Sequence, residues 1–304
     1  MMESWGWVYL TLMASAVQSV RTGGQKYLTQ HMSTFAVSLV RFVYGLPFVV
    51  AYFIILLYAY DREVPELTLF FLGFCLLGGL GQILATAFLV YLFSFRNFAV
   101  GTTYARTEAF LTAVAGAFLF GEAISLQGWL AITISVTGVV IITIVKTTID
   151  NGNWIMRIWN RSAAVGLASG FCFALASLSI REAALSFGED EVLFPAAFTL
   201  LTTILMQSAI LGLYIIARER QQIAIMAREW KVGTFVGVTS AVGSIGWFTA
   251  FTLQKASFVK ALGQIEFLFT LAISVLFFRE RTSPGELFGM MLVVAGIVYL
   301  LAVA

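Results

Sequence analysis

"ARTEAFLTAVAGAFLFGEAIS", residues Ala105 to Ser125, has a counterpart 158 positions later in "GQIEFLFTLAISVLFFRERTS", residues Gly263 to Ser283. The overlay sets Glu108 on Glu266, Glu122 on Glu280 and Ser125 on Ser283; further along, Gly138 falls on Gly296. Apolar helices share a small alphabet, so likeness among them arises easily by chance. Glutamates are rare in such company, and two that keep their mutual distance in both halves point to a duplication. A shift of 160 also aligns the first helix of each half, pairing Gly6 with Gly166, Ala14 with Ala174, Ser19 with Ser179 and Arg21 with Arg181. The chain therefore divides into residues 1–150 and 151–304.

Composition says what the repeats are made of. Of 304 residues, 60% are hydrophobic and 11% charged, against roughly 25% charged in soluble domains. The mean hydropathy is +0.92, and the apolar runs reach the ~20 residues that cross a bilayer. They are too long for the ~10-residue alternating strands of a membrane barrel. The fold class is an all-α integral membrane protein. Ten helices are expected, at roughly 4–27, 33–58, 67–94, 98–120, 125–147, 162–186, 191–217, 230–253, 257–278 and 284–303. Five helices per half is an odd number, so the second half enters the membrane inverted. Inverted repeats around a central cavity are a recurrent transporter plan.

The connections are too short for a soluble domain. The longest, at about 147–161 and 218–230, carry Trp154, Trp159 and Trp230, which suit a membrane interface. Cys75 and Cys172 lie in apolar spans and read as small buried hydrophobes, and one His31 cannot anchor a metal site. The opening "MMESWGW" lacks the basic start of a cleavable signal, and the first apolar run continues into a full span. No phosphate-binding loop, HExxH, GxSxG or metal cluster appears, so an enzyme is not expected, nor a cofactor, nor a nucleic-acid partner.

Two stretches carry a family likeness. "FLFGEAISLQGWLAITISVTGVVI" and "LFFRERTSPGELFGMMLVVAGIVYL" each run from a polar-interrupted helix through a Ser-containing short loop to a Gly-bearing helix. The pattern resembles the EamA type of the drug/metabolite transporter superfamily, across essentially all ten helices. The resemblance implies a small-solute transporter whose central cavity is lined by helices one, three, four, six, eight and nine.

Charges within the spans supply the candidate site. A charge at the bilayer centre costs about 2.5–3.5 kcal/mol, so Arg106 and Glu108 are expected to face protein or a water-filled cavity. Two positions apart on a helix lie about 200° around it, so these two do not pair on one face. Glu108 shares its face with Tyr104 and Thr112, while Gln264 lies with Lys260 in the second half. The expected substrate-binding residues are Arg41, Tyr104, Arg106, Glu108, Trp247, Lys260, Gln264 and Glu266, with Glu108 and Glu266 exchanging protons. Gln82 is a weaker polar candidate. Arg21 and Lys26 are read as snorkelling to the interface, Arg181 as interfacial, and Glu122 and Glu280 as capping the next helix or closing a loop.

Connections 1–2, 3–4, 5–6, 7–8 and 9–10 hold most of the Lys and Arg, including Lys26, Arg96, Arg218, Arg228 and Arg279. Basic loops stay in the cytoplasm, so both termini are expected on the outer side of the inner membrane. The function expected is secondary active transport of a small zwitterion such as an amino acid, by alternating access and coupled to protons. Uptake of a phosphorylated or other anionic metabolite and a passive channel are the alternatives. The partners are then a small-molecule substrate, protons and the lipid bilayer.

Overall fold

Pro47 decides the first departure from a plain bundle. Proline has no N–H to give the preceding turn, and its ring crowds the carbonyl four residues back. In the computed structural model the second apolar run accordingly breaks at Tyr44–Gly45 into α2 (Thr34–Val43) and α3 (Leu46–Ala59), after α1 (Met2–Leu28). Ser33 caps α2 by accepting from the Ala36 N–H. The structure describes residues 2–92, 105, 107–146, 161–188, 192–266, 268–269 and 283–304. The later helices are α4 (Leu69–Tyr91), α5 (Glu108–Leu119), α6 (Leu126–Lys146), α7 (Arg161–Leu185), α8 (Leu193–Arg218), α9 (Gln221–Arg228), α10 (Trp230–Leu253), α11 (Ala256–Gly263) and α12 (Pro284–Val303).

Among the described residues all regular structure is helical, and seven stretches are long and apolar enough to cross a membrane. Three details correct the sequence reading. The expected helix 257–278 is broken by a turn at Gln264–Ile265. The second span is two helices, and the expected loop at 218–230 contains the short helix α9.

The chain forms two compact units, each drawn from two separate stretches of the sequence. The first comprises residues 1–83 and 179–254, the second 84–178 and 255–304. In the first unit α10 packs on α1 and on α2. Gly237 makes room for the broken span: a Cβ there would lie 2.6 Å from the Tyr44 carbonyl oxygen. Tyr44 in turn donates its hydroxyl to the Met226 carbonyl at 2.9 Å. Elsewhere in this unit α3, α4 and α8 share an aromatic core, in which Phe71 stacks on Phe198 with centroids 5.1 Å apart.

In the second unit α6 and α12 cross backbone to backbone. A Cβ on Gly138 would sit 2.5 Å from the Gly289 carbonyl oxygen, and one on Gly296 would sit 2.5 Å from the Ser135 nitrogen. Small residues let membrane helices approach this closely. The two glycines that coincide in the repeat overlay are thus both contact points of one crossing. Ser283 and Glu286 form a reciprocal capping box at the start of α12, which fixes where that helix begins.

Candidate functional site

The second unit holds an ion pair. Glu108 opens α5 and Lys260 lies in the last turn of α11, the ends where the helix dipole favours an anion and a cation respectively. Lys260 Nζ stands 3.3 Å from Glu108 Oε1, with the side chains 14% and 28% exposed. The same ammonium lies 5.7 Å from the centroid of the Phe173 ring on α7. Desolvated cation–π contacts are worth up to about 2 kcal/mol, so Lys260 is held by a carboxylate and by a ring. The Thr112 hydroxyl donates to the Glu108 carbonyl at 2.7 Å, so the shared face expected for these two residues is realised through the backbone.

Backbone interruptions flank this pair. Thr107 is a turn residue before Glu108, and Gln264 and Ile265 form a turn before Glu266. Under the shift of 158 these turns coincide, so each half has a turn just ahead of its glutamate. Interrupted helices leave backbone groups free to meet polar solutes or ions. Gln264 is 6% exposed, and its Oε1 is enclosed with no hydrogen-bond partner among the described residues. Glu266 follows the turn and is half-buried.

A second carboxylate sets the position of Lys260. Glu122 accepts from the Ala256 N–H at 3.0 Å and from the Ser257 hydroxyl at 3.1 Å. It therefore caps α11 across 134 residues of chain, a partner that the expectation of capping the next helix or closing a loop does not name. Gly121, at φ +68°, makes the turn that aims Glu122 there. Lys255 adds a bond from its ammonium to the Ala123 carbonyl. Nothing in the sequence marked Phe173 or Ser257, since an aromatic and a serine in a span are ordinary.

The remaining candidates divide. Tyr104, Arg106 and Glu280 lie outside the described residues. Arg41 and Trp247 belong to the first unit. Trp247 donates its indole N–H to Gln18 Oε1 at 3.2 Å and stacks on Phe251. Gln82 accepts from the Gln207 amide at 2.9 Å, which gives it a packing role between α4 and α8. Arg181 is not simply interfacial: its guanidinium donates to the carbonyls of Phe251 and Gln254 and so closes the C-terminal end of α10. Arg21 does not snorkel, for it is only 6% exposed.

The sequence matches a family model, the EamA-like transporter family, over residues 5–144 and again over 160–302. Among solved structures 27 chains match. One of them, a crystal structure described only as "Crystal structure of protein", aligns with a TM-score of 0.70 at 14% identity. It covers 100% of this chain and 99% of that chain, a likeness of fold. No curated protein matches.

Proposed function

The chain belongs to the EamA-like transporter family, as a multi-pass membrane protein, and we propose that it moves a small zwitterion such as an amino acid across the inner membrane by alternating access. The Lys260–Glu108 pair carries this reading. Two opposite charges, part-buried and 3.3 Å apart, are the complement of an ammonium and a carboxylate on one small molecule. A zwitterion entering here exchanges one ion pair for two, its carboxylate taking Lys260 and its ammonium taking Glu108. The family match in two segments supports the finer architecture: ten spans in two inverted five-helix repeats, 1–150 and 151–304, around a central cavity. Protons are the coupling ion, with Glu108 and Glu266 as the exchanging carboxylates.

The test is counterflow in proteoliposomes, using amino acids that raise the melting temperature of the purified protein. Lys260→Gln and Glu108→Gln should each lower uptake roughly tenfold or more, since a hydrogen bond to a charged group is worth about 1.5–3 kcal/mol. Unchanged uptake in both variants would overturn the reading. Glu266→Gln should abolish accumulation driven by a proton gradient while sparing exchange. Continued uphill transport in Glu108→Gln and Glu266→Gln refutes the coupling role.

A further inference from the structure

The short helix α9 joins two stretches long and apolar enough to cross a membrane, Leu193–Arg218 and Trp230–Leu253. It therefore lies where a bilayer meets water, and the transport reading makes no use of it.

Its side chains are sorted by side. Gln222 and Met226 lie one turn apart on the side that packs against α2. The Ser33 N–H donates to Gln222 Oε1 at 3.3 Å, and Met226 is only 8% exposed. Arg220 comes two positions before Gln222, about 200° around the helix. Arg220, Ala224 and Arg228 then follow one another at intervals of one turn, and all three are exposed. Arg220 is braced by its own Nε, which donates to the Ile216 carbonyl at 2.7 Å.

The charges are sorted in the same sense. Between 218 and 231 the chain carries Arg218, Arg220, Arg228 and Lys231, all exposed. The carboxylates of this segment, Glu219 and Glu229, are partly buried, and Glu219 accepts from the Ser33 hydroxyl. The surface that α9 offers outward is thus more basic than its composition. Apolar groups stand among the cations: Ile223 is 47% exposed and Trp230 55%, with the Lys231 ammonium 5.9 Å from the Trp230 ring centroid.

A soluble anion answers the cations and leaves Ile223 and Trp230 in water. A bilayer surface answers both, with headgroup phosphates on the cations and the ring and aliphatic chain at the headgroup boundary. We propose that α9, with Arg218, Trp230 and Lys231, is a docking surface for the headgroups of anionic phospholipids, which hold the helix flat against the membrane. The surface is independent of the Lys260–Glu108 reading and stands or falls without it.

The experiment is native mass spectrometry of the purified full chain in detergent, titrated with phosphatidylglycerol or with phosphatidylcholine. The parent protein should bind phosphatidylglycerol more tightly. A cation beside an anionic surface contributes about fivefold in affinity. The double variant Arg220→Gln, Arg228→Gln should therefore weaken binding of phosphatidylglycerol roughly tenfold or more and leave that of phosphatidylcholine unchanged. Arg220→Lys, Arg228→Lys keeps the charge and should keep the preference, which separates loss of charge from loss of fold. Lys26→Gln, which removes an exposed cation from another connection, should keep it too. The proposal is overturned by equal binding of the two lipids by the parent. It is overturned equally by a preference that survives in the Gln variant, or by one lost in the Lys variant or in Lys26→Gln.

Discussion

A lysine and a glutamate that meet in a membrane helix bundle raise the question of whether they serve stability or transport. Exposed ion pairs contribute about 0.2–1 kcal/mol, while breaking a buried one costs about 3–5 kcal/mol because the survivor is left uncompensated. At 14% and 28% exposure the Lys260–Glu108 pair lies between these limits. Lys260→Met alone should therefore destabilise the protein by roughly 1–3 kcal/mol. The double variant Glu108→Gln, Lys260→Met removes both charges and should recover most of that loss. Thermal unfolding of the parent protein, Glu108→Gln, Lys260→Met and the double variant reads the stability, and counterflow reads the transport. If the pair serves transport, the double variant is stable and inactive. Recovery of both together would make the pair structural.

At the scale of helices, close crossings and caps do the positioning. Gly138→Ala puts a methyl group against the Gly289 carbonyl, where only 2.5 Å is free, and backbone cannot yield as a side chain would. Overpacking of this kind costs about 1–3 kcal/mol, and the melting temperature should fall accordingly. Gly212→Ala, on α8 with open space around it, should leave it unchanged. Arg181→Gln removes donors from the last carbonyls of α10 and should destabilise the first unit, seen as faster amide exchange over residues 245–254 than in the parent protein. These features were unequally legible beforehand. The repeat showed itself because glutamate and glycine stand out among Leu, Val and Phe. The turn ahead of each glutamate was not, because the expected spans 98–120 and 257–278 run straight through "RTE" and "QIE". Other features depend on neighbours remote in sequence. Arg21 sits near enough to a helix end to snorkel, but Val17 and Gly24, on the same face, are taken up by α10. Glu122 finds its partners 134 and 135 residues away, which no local pattern encodes. The break at Tyr44–Gly45 was signalled by Pro47 and passed over, because the apolar run continues through it.

For the whole molecule the open physical question is which way it faces. Basic residues near span ends are retained in the cytoplasm, and acidic residues contribute little to that choice. The connection between α8 and α10 gathers Arg218, Arg220, Arg228 and Lys231, all exposed, beside Trp230 at 55% exposure. An exposed tryptophan among cations is the composition of a membrane interface with anionic lipid. The short helix α9 between them leaves Ile223 exposed at 47%, which suits a segment lying along that surface. If this side is cytoplasmic, a count of ten spans puts both termini outside. A fluorescent protein that matures only in the cytoplasm, fused after Ala304, should then be dark, and alkaline phosphatase at the same point should be active. Replacing Arg218, Arg220, Arg228 and Lys231 by Gln removes much of the bias on this side and should raise the fluorescent fraction. Bright cells from the unaltered chain would place the basic side outside and refute the assignment.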